Sequence, residues 1–342
     1  MLKNRKALLT VACIAVAAAT VFAYLHWRSR DSEASRTQLL SLMPPNGNLA
    51  LFLDLSQLRA SPFLAELFAL APQPGPEGDY AEFLQATGFN YERDLERIAI
   101  SIDREPQTQT VFAVAEGRFD RKKIEAYGAQ FGALKTADGK TLYAVPVQHS
   151  ARKVYFSFLR DDRVAWANDL SGFFQTAAKA YSADWREHFS RVAGTPVFVI
   201  LRQDAGAASA LSGAPGGLRS PQLATLVSQL QWISIGAKPE GDLLRVVLDG
   251  EAPNENAVHQ LKEVLSGLVM MAQAGLNDGK MRKQLDPDLR EGYLELLNSA
   301  DIEQMDRGTS KSVRVIFDVT PKLLRSAARK ESAAAPGGAH AR

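Results

Sequence analysis

The chain has 342 residues, 46% hydrophobic and 23% charged, a balance that supports a buried core and excludes a wholly disordered protein. A single cysteine, Cys13, excludes a disulfide framework and any four-thiolate zinc or iron–sulfur site within one chain. The net charge of +2 averages unlike segments: residues 1–30 carry five Lys/Arg and no acid, residues 322–342 carry five against Glu331, and the body between is mildly acidic, about −7, with no basic footprint for nucleic acid.

From the N-terminus, Ala7 to Trp27 is a run of 21 residues without formal charge, preceded by Lys3, Arg5 and Lys6 and followed by Arg28 and Arg30. That length suits one membrane-spanning helix, whose backbone groups are all satisfied internally, and Tyr24, His26 and Trp27 fall where an interfacial belt would lie. The reading is a signal anchor over 1–30 with its N-terminus inside and the body periplasmic, on a single-pass bacterial inner-membrane protein. Its rival is a secreted protein cleaved near Ala23, after Val21-Phe22-Ala23. Cys13 reads as a small apolar member of the span, because Thr10 stands where a lipoprotein motif wants Leu.

Residues 31–44 form a polar, helical stalk, and Pro44-Pro45-Asn46-Gly47 punctuates the chain before the apolar strand 49–55. The period of the apolar residues predicts helices near 62–71 and 79–87, strands near 97–102 and 109–116, and a helix near 120–132. Asp120 is a suitable cap for that helix, with Phe119 able to staple onto Ile124. Strands near 141–147, 153–160 and 163–168 and a helical region over 169–192 complete a first α+β unit, residues 45–193.

After Gly194 the order begins again: a strand at 195–201, a helix at 220–229, strands at 231–236 and 243–249, an amphipathic helix at 254–274, and closing strands at 301–306 and 311–319. Arg97-Ile98-Ala99-Ile100-Ser101-Ile102 lies over Leu230-Gln231-Trp232-Ile233-Ser234-Ile235 at an offset of 133, and Glu116-Gly117 then meets Asp249-Gly250. The fold expected is α+β: a transmembrane helix followed by two tandem βαββαβ, ferredoxin-like units with extra antiparallel strands. The second unit spans 194–325. Gly206–Pro221 reads as a flexible excursion and 326–342 as a disordered tail.

Catalytic signatures are missing: no GxSxG, HExxH, Walker loop, GxGxxG or EF-hand loop occurs. His149, His188 and His259 are far apart in sequence and read as surface or packing residues. Asp286-Pro287-Asp288, beside Asn277-Asp278-Gly279, could hold a cation, but it fits a helix start in which Asp286 caps and Pro287 takes the first position. Gly213-Ala214-Pro215-Gly216-Gly217 reads as a loop rather than a phosphate cradle. Asp54 and the cluster Glu92, Arg93, Asp94, Glu96, Arg97 could serve acid/base work, but charges alternating at short spacing normally form ion pairs. Phe173-Phe174, Trp185 and Val269-Met270-Met271 could make a greasy binding face, with core or inter-copy packing the expected use. No catalytic residue, cofactor or metal ligand is assigned.

The anchor, the Leu49–Leu55 opening after Pro44-Pro45, the segment Ala86–Leu95 and Glu116-Gly117-Arg118-Phe119-Asp120 together resemble an uncharacterised group of membrane-anchored or secreted bacterial envelope proteins. The resemblance implies an extracytoplasmic place and no activity. The expectation is a non-enzymatic, membrane-tethered binding or scaffold protein for an envelope protein, lipid or polymer, with binding centred on the cleft between the two units. The alternatives are a hydrolase-like enzyme using scattered carboxylates in that cleft, and a pseudo-symmetric structural subunit whose partner covers it.

Overall fold

The computed structural model describes residues 34–44, 47–63, 78–104, 109–135, 141–147, 153–170, 173, 182–203, 225, 227–307 and 310–334. The expected membrane span, Cys13, His149, Phe174, the glycine-rich segment 213–217 and the last eight residues lie outside them. Among the described residues no helix is long and apolar enough to cross a membrane. Residues 1–42 and 43–342 form separate compact units, and in the first of them helix 34–41 is described, within the expected stalk.

The second unit is α+β, built, among the described residues, on one antiparallel sheet of twelve strands. In chain order its elements are β1 (Leu49–Asp54), α1 (Leu55–Arg59), α2 (Gly78–Thr87), α3 (Tyr91–Asp94), β2 (Leu95–Arg104), β3 (Gln109–Gly117), α4 (Arg121–Ala129), β4 (Ala133–Lys135), β5 (Thr141–Pro146), β6 (Lys153–Arg160) and β7 (Arg163–Ala167). Then come α5 (Ala183–Arg191), β8 (Val197–Arg202), β9 (Trp232–Glu240), β10 (Leu243–Ala252), α6 (Glu255–Asn277), α7 (Gly279–Gln284), α8 (Pro287–Asn298), β11 (Asp301–Asp306), β12 (Lys311–Val319) and α9 (Pro321–Ala334).

The strand order is β11-β12-β10-β9-β8-β1-β2-β3-β7-β6-β5-β4. Outward from the central β1/β8 pair it reads β1-β2-β3-β7-β6 on one side and β8-β9-β10-β12-β11 on the other, with β5 and β4 added only to the first. Leu51 pairs with Val199 at the centre of the seam, and Phe52 stacks on Phe198 across it, ring centroids 5.3 Å apart. Each central hairpin feeds a helix, α4 capped by Asp120 and α6 by Asn254.

Two expectations need correction. A ferredoxin-like plait sets its first and third strands side by side, whereas β2 lies between β1 and β3 and β9 between β8 and β10, so each half opens as a three-stranded antiparallel meander, after which β7 rather than β4 lies beside β3 and β12 rather than β11 beside β10. The repeat also sits at a different offset. Arg97 faces Glu116 in the first hairpin and Trp232 faces Glu251 in the second, so both members advance by 135. The advance is the same on both strands, so the length between the facing residues is unchanged; the second hairpin pairs one step further, Glu240 facing Leu243, and Gly241-Asp242, with Gly241 at φ +60°, closes it in two residues.

Residues facing each other across paired strands share one side of the sheet. On one side α4 packs through Ile124 on Tyr143, Phe156 and Phe158, and α6 packs through Ala257, Val258 and Leu261 on Leu230, Ala252 and Val313. On the opposite side α5 sets Trp185 against Trp232 and Phe189 against Phe198. The expected tail is helical as far as Ala334. Its Ala, Lys, Arg and Glu are good helix formers, Thr320 Oγ1 accepts from the Leu323 N–H, and Gly292 of α8 lets the Leu323 backbone approach closely.

Candidate functional site

The first half of α6 has the usual amphipathic pattern: Ala257, Val258 and Leu261 are buried, while His259, Gln260 and Glu263 face solvent. The pattern then stops. From Val264 through Asn277 there is no charged residue on any side of the helix. A helix this poor in polar side chains would be expected in a core, yet Met270 is 63% and Met271 64% exposed, and a methyl group built on Gly267 or Gly275 would meet nothing within 4 Å. The expectation that Val269-Met270-Met271 packs in a core is therefore overturned for both methionines, because this part of the helix stands clear of the sheet on its outer side.

Beneath it a groove of about 470 Å³ opens, lined by Leu265, Leu268, Val269, Met271 and Ala272 of α6, Leu297 of α8, Ile302 of β11 and Val315 of β12. No lining residue is charged. A second, smaller pocket of about 300 Å³ lies in the first half between α2, α4 and β5–β6, lined by aromatic rings including Tyr80, Phe83, Tyr127 and Phe156, with Glu82 at its rim. Both belong to a single half; neither is lined by residues of the β1/β8 seam, where the cleft between units was expected.

Just past the groove, Asp278 caps α7 by accepting from the Lys280 N–H at 2.8 Å, which turns the chain sharply and presents Lys280, Arg282 and Lys283 to solvent. Asp286 then caps α8, accepting from the Leu289 N–H at 3.0 Å with Pro287 in the first turn, and Asp288 pairs with Arg329. These aspartates are capping and pairing groups, as the helix-start reading expected. Among the described residues no three His, Cys, Asp or Glu side chains gather where they could hold a metal ion.

The charged candidates converge on the other face of the sheet. Asp54, 1% exposed at the end of β1, accepts from Ser56 Oγ at 2.6 Å, the Gln57 N–H at 3.0 Å and Arg97 Nε at 3.0 Å. Burial alone would raise its pKa; the hydrogen bonds from Ser56 and Gln57 and the charge of Arg97 outweigh it, and the carboxyl lies below its ordinary value. Arg97 reaches on to Glu116 at 3.3 Å, and Glu116 to Arg163 at 3.2 Å, so four charges of alternating sign cross β1, β2, β3 and β7 in one row. Asp94 is held down to about 2, chiefly by the hydrogen bonds from Arg93, and also accepts from the Asn90 N–H, which fixes the turn into β2. Glu92 is exposed beside it and its backbone carbonyl accepts from Arg59.

At the equivalent place in the second half, Glu251 is met from α5 by Arg191, and Asp249 by Arg307 and Arg314. His188, 3% exposed, stacks on Trp232 with centroids 4.1 Å apart, and its Nε2 lies 3.9 Å from Glu251. Burial, reinforced by the charge of Arg191, lowers its pKa to about 4, so it is neutral and the contact with Glu251 is not an ion pair. His259 is exposed on α6, Trp185 is buried in the α5 packing, and Phe173 sits edge-on to Phe112. Sequence reasoning missed Glu116, Arg163, Glu251 and Arg191, whose partners lie tens of residues away; the signal available was a charge on the inward register of an otherwise apolar strand.

No family model matches the chain, and no curated protein matches it. Among solved structures, crystal form III of TP0453 aligns at 9% identity over 85% of this chain and 97% of that chain, with a TM-score of 0.45, and crystal form IV of TP0453 at 8% identity over 84% and 95%, with a TM-score of 0.44.

Proposed function

We propose that the protein is a membrane-tethered, extracytoplasmic binding module, non-enzymatic and built from two tandem copies of one antiparallel unit, whose α6 groove takes the acyl chain of a lipid. The observation that carries this reading is the uncharged half of α6 standing over a groove of about 470 Å³ with no charged lining residue. That volume is in the range of small-molecule sites, and such a lining offers an apolar chain burial without desolvating any charge. The uncharged run Ala7–Trp27 supplies the tether and the nearness to lipid. Binding energy comes from apolar area, about 25 cal/mol per Å² removed from water.

The carboxylates do not support an enzyme. Asp54 and Glu116 meet at Arg97 rather than at a shared substrate position, and Asp54 is further occupied by Ser56 and Gln57. The test is photo-crosslinking: full-length protein in lipid nanodiscs is irradiated with a diazirine-bearing fatty acid and the adducts are mapped. Adducts concentrated on the peptides carrying residues 265–272 and 297–302, and lost in Ala272→Trp, are expected. Adducts spread over exposed apolar residues such as Tyr91 and Phe131, indifferent to Ala272→Trp, would overturn the reading.

A further inference from the structure

We infer that the corner formed by the outer half of α6 and by α7 docks on an anionic lipid surface, the two methionines entering the interface and the three cations of α7 meeting the headgroups. The inference deepens the lipid-binding reading, since a groove filled from a bilayer must face one, but Met270 and the cations of α7, on which it chiefly stands, do not line that groove.

Met270 and Met271 are the most exposed large apolar side chains among the described residues, and they sit side by side on a helical stretch with no charge from Val264 to Asn277. Open space around Gly267 and Gly275 shows that, among the described residues, no other element of the fold covers this side. Flexible, unbranched methionines adapt to a disordered surface better than branched side chains do.

Lys280, Arg282 and Lys283 lie within one short helix directly after the apolar stretch, all exposed, and among the described residues none of the three is ion-paired. The nearby acids are otherwise engaged: Asp278 and Asp286 accept from backbone N–H groups at helix starts, and Asp288 pairs with Arg329. Apolar side chains beside exposed cations that no carboxylate contacts among the described residues are the pattern of a segment lying in an anionic interface, where burial and charge attraction add. A protein partner would have to bring its own acids to the same place; a bilayer containing phosphatidylglycerol presents them as a continuous surface.

Because Cys13 is the sole cysteine, the full chain can be labelled at one chosen site: Cys13→Ser with Met270→Cys carries a single environment-sensitive fluorophore on a residue that does not line the groove. The protein is reconstituted in vesicles of phosphatidylcholine with phosphatidylglycerol. The label is expected to be quenched by doxyl groups on the lipid chains and shielded from aqueous iodide, and the docked-to-free ratio is expected to fall by about 100-fold in Lys280→Gln/Arg282→Gln/Lys283→Gln, and by less as salt rises. A label open to iodide in those vesicles would overturn the inference. So would lipid quenching that survives the triple substitution, or shielding that occurs only in native membranes and points to a protein partner. Ala272→Trp separates the two readings: it removes the crosslinks in the groove and leaves the Met270 signal unchanged.

Discussion

The helices that succeed the two central hairpins, α4 and α6, lie over the same face of one sheet in equivalent places, yet they meet it differently. In α4, a Cβ on Gly128 would come within 2.6 Å of the Phe156 ring and 2.9 Å of Tyr143, so the helix is pressed onto the strands and ends after nine residues. In α6 the first turns are pressed down in the same way, but the helix runs on for 23 residues, and around Gly267 and Gly275 there is open space. The difference teaches that one architecture can press a helix onto the sheet along its length in one half and leave its outer half uncovered, among the described residues, in the other.

The charged rows sharpen the contrast from below. Glu116 is answered along the sheet by Arg97 and Arg163, whereas Glu251, at the equivalent register, is answered by Arg191 from a helix laid across it. Arg97→Ala takes away the guanidinium between buried Asp54 and half-buried Glu116 and should destabilise the protein by about 3–5 kcal/mol in urea denaturation. A cost below about 1 kcal/mol would mean that the row contributes little to the first half.

In the second half the same face carries a pH dependence. His188 is neutral in the folded protein with a pKa of about 4, while the unfolded imidazole titrates near 6.5. Between those values the unfolded chain binds a proton that the folded chain refuses, so stability falls as pH drops from about 6.5 to about 4, by about 3 kcal/mol in all, and the loss levels off below. Asp54 and Asp94, with carboxyls held below their ordinary values, add their own losses only below about pH 4. The groups facing His188 are Arg191, Glu187, Asp249, Arg307 and Glu251. Denaturation of the wild type and His188→Phe at pH 7 and pH 4.5 checks this: the wild type should lose stability relative to the variant at the lower pH, and a constant difference would contradict it.

The smallest effects bear directly on the two helices. Gly128→Ala should cost about 1–3 kcal/mol through the clash with Phe156 and Tyr143. Gly267→Ala, in a helix interior with open space around it, should stabilise by about 0.5–1 kcal/mol. Thermal unfolding of both variants measures the pair, and equal signs would erase the distinction between a docked and an overhanging helix.

Local chemistry was readable in the sequence. The strands and hairpins arise from short-range alternation, and Asp120 and Asp286 cap the helices where their spacing to the first apolar residues placed them. The strand–turn–strand likeness of the two hairpins was readable too, though two positions off; an even slip keeps every side chain on its face, so the apolar pattern matches in either alignment. What was not readable depends on distance and coverage. Asp54, Arg97, Glu116 and Arg163 become one row only when four strands align, and the role of Met270 and Met271 turns on whether anything covers α6. The latter two look like core in the letters, because an uncharged helix has the same composition whether it is buried or left uncovered.

The most direct test of the central claim is the lipid that travels with the protein. Full-length wild type and Ala272→Trp are extracted from membranes in mild detergent, purified side by side, and their lipids quantified by mass spectrometry. A lipid class retained in proportion to the wild-type protein and depleted from Ala272→Trp is the expected result; identical lipids in identical amounts from both would contradict a groove that binds acyl chains.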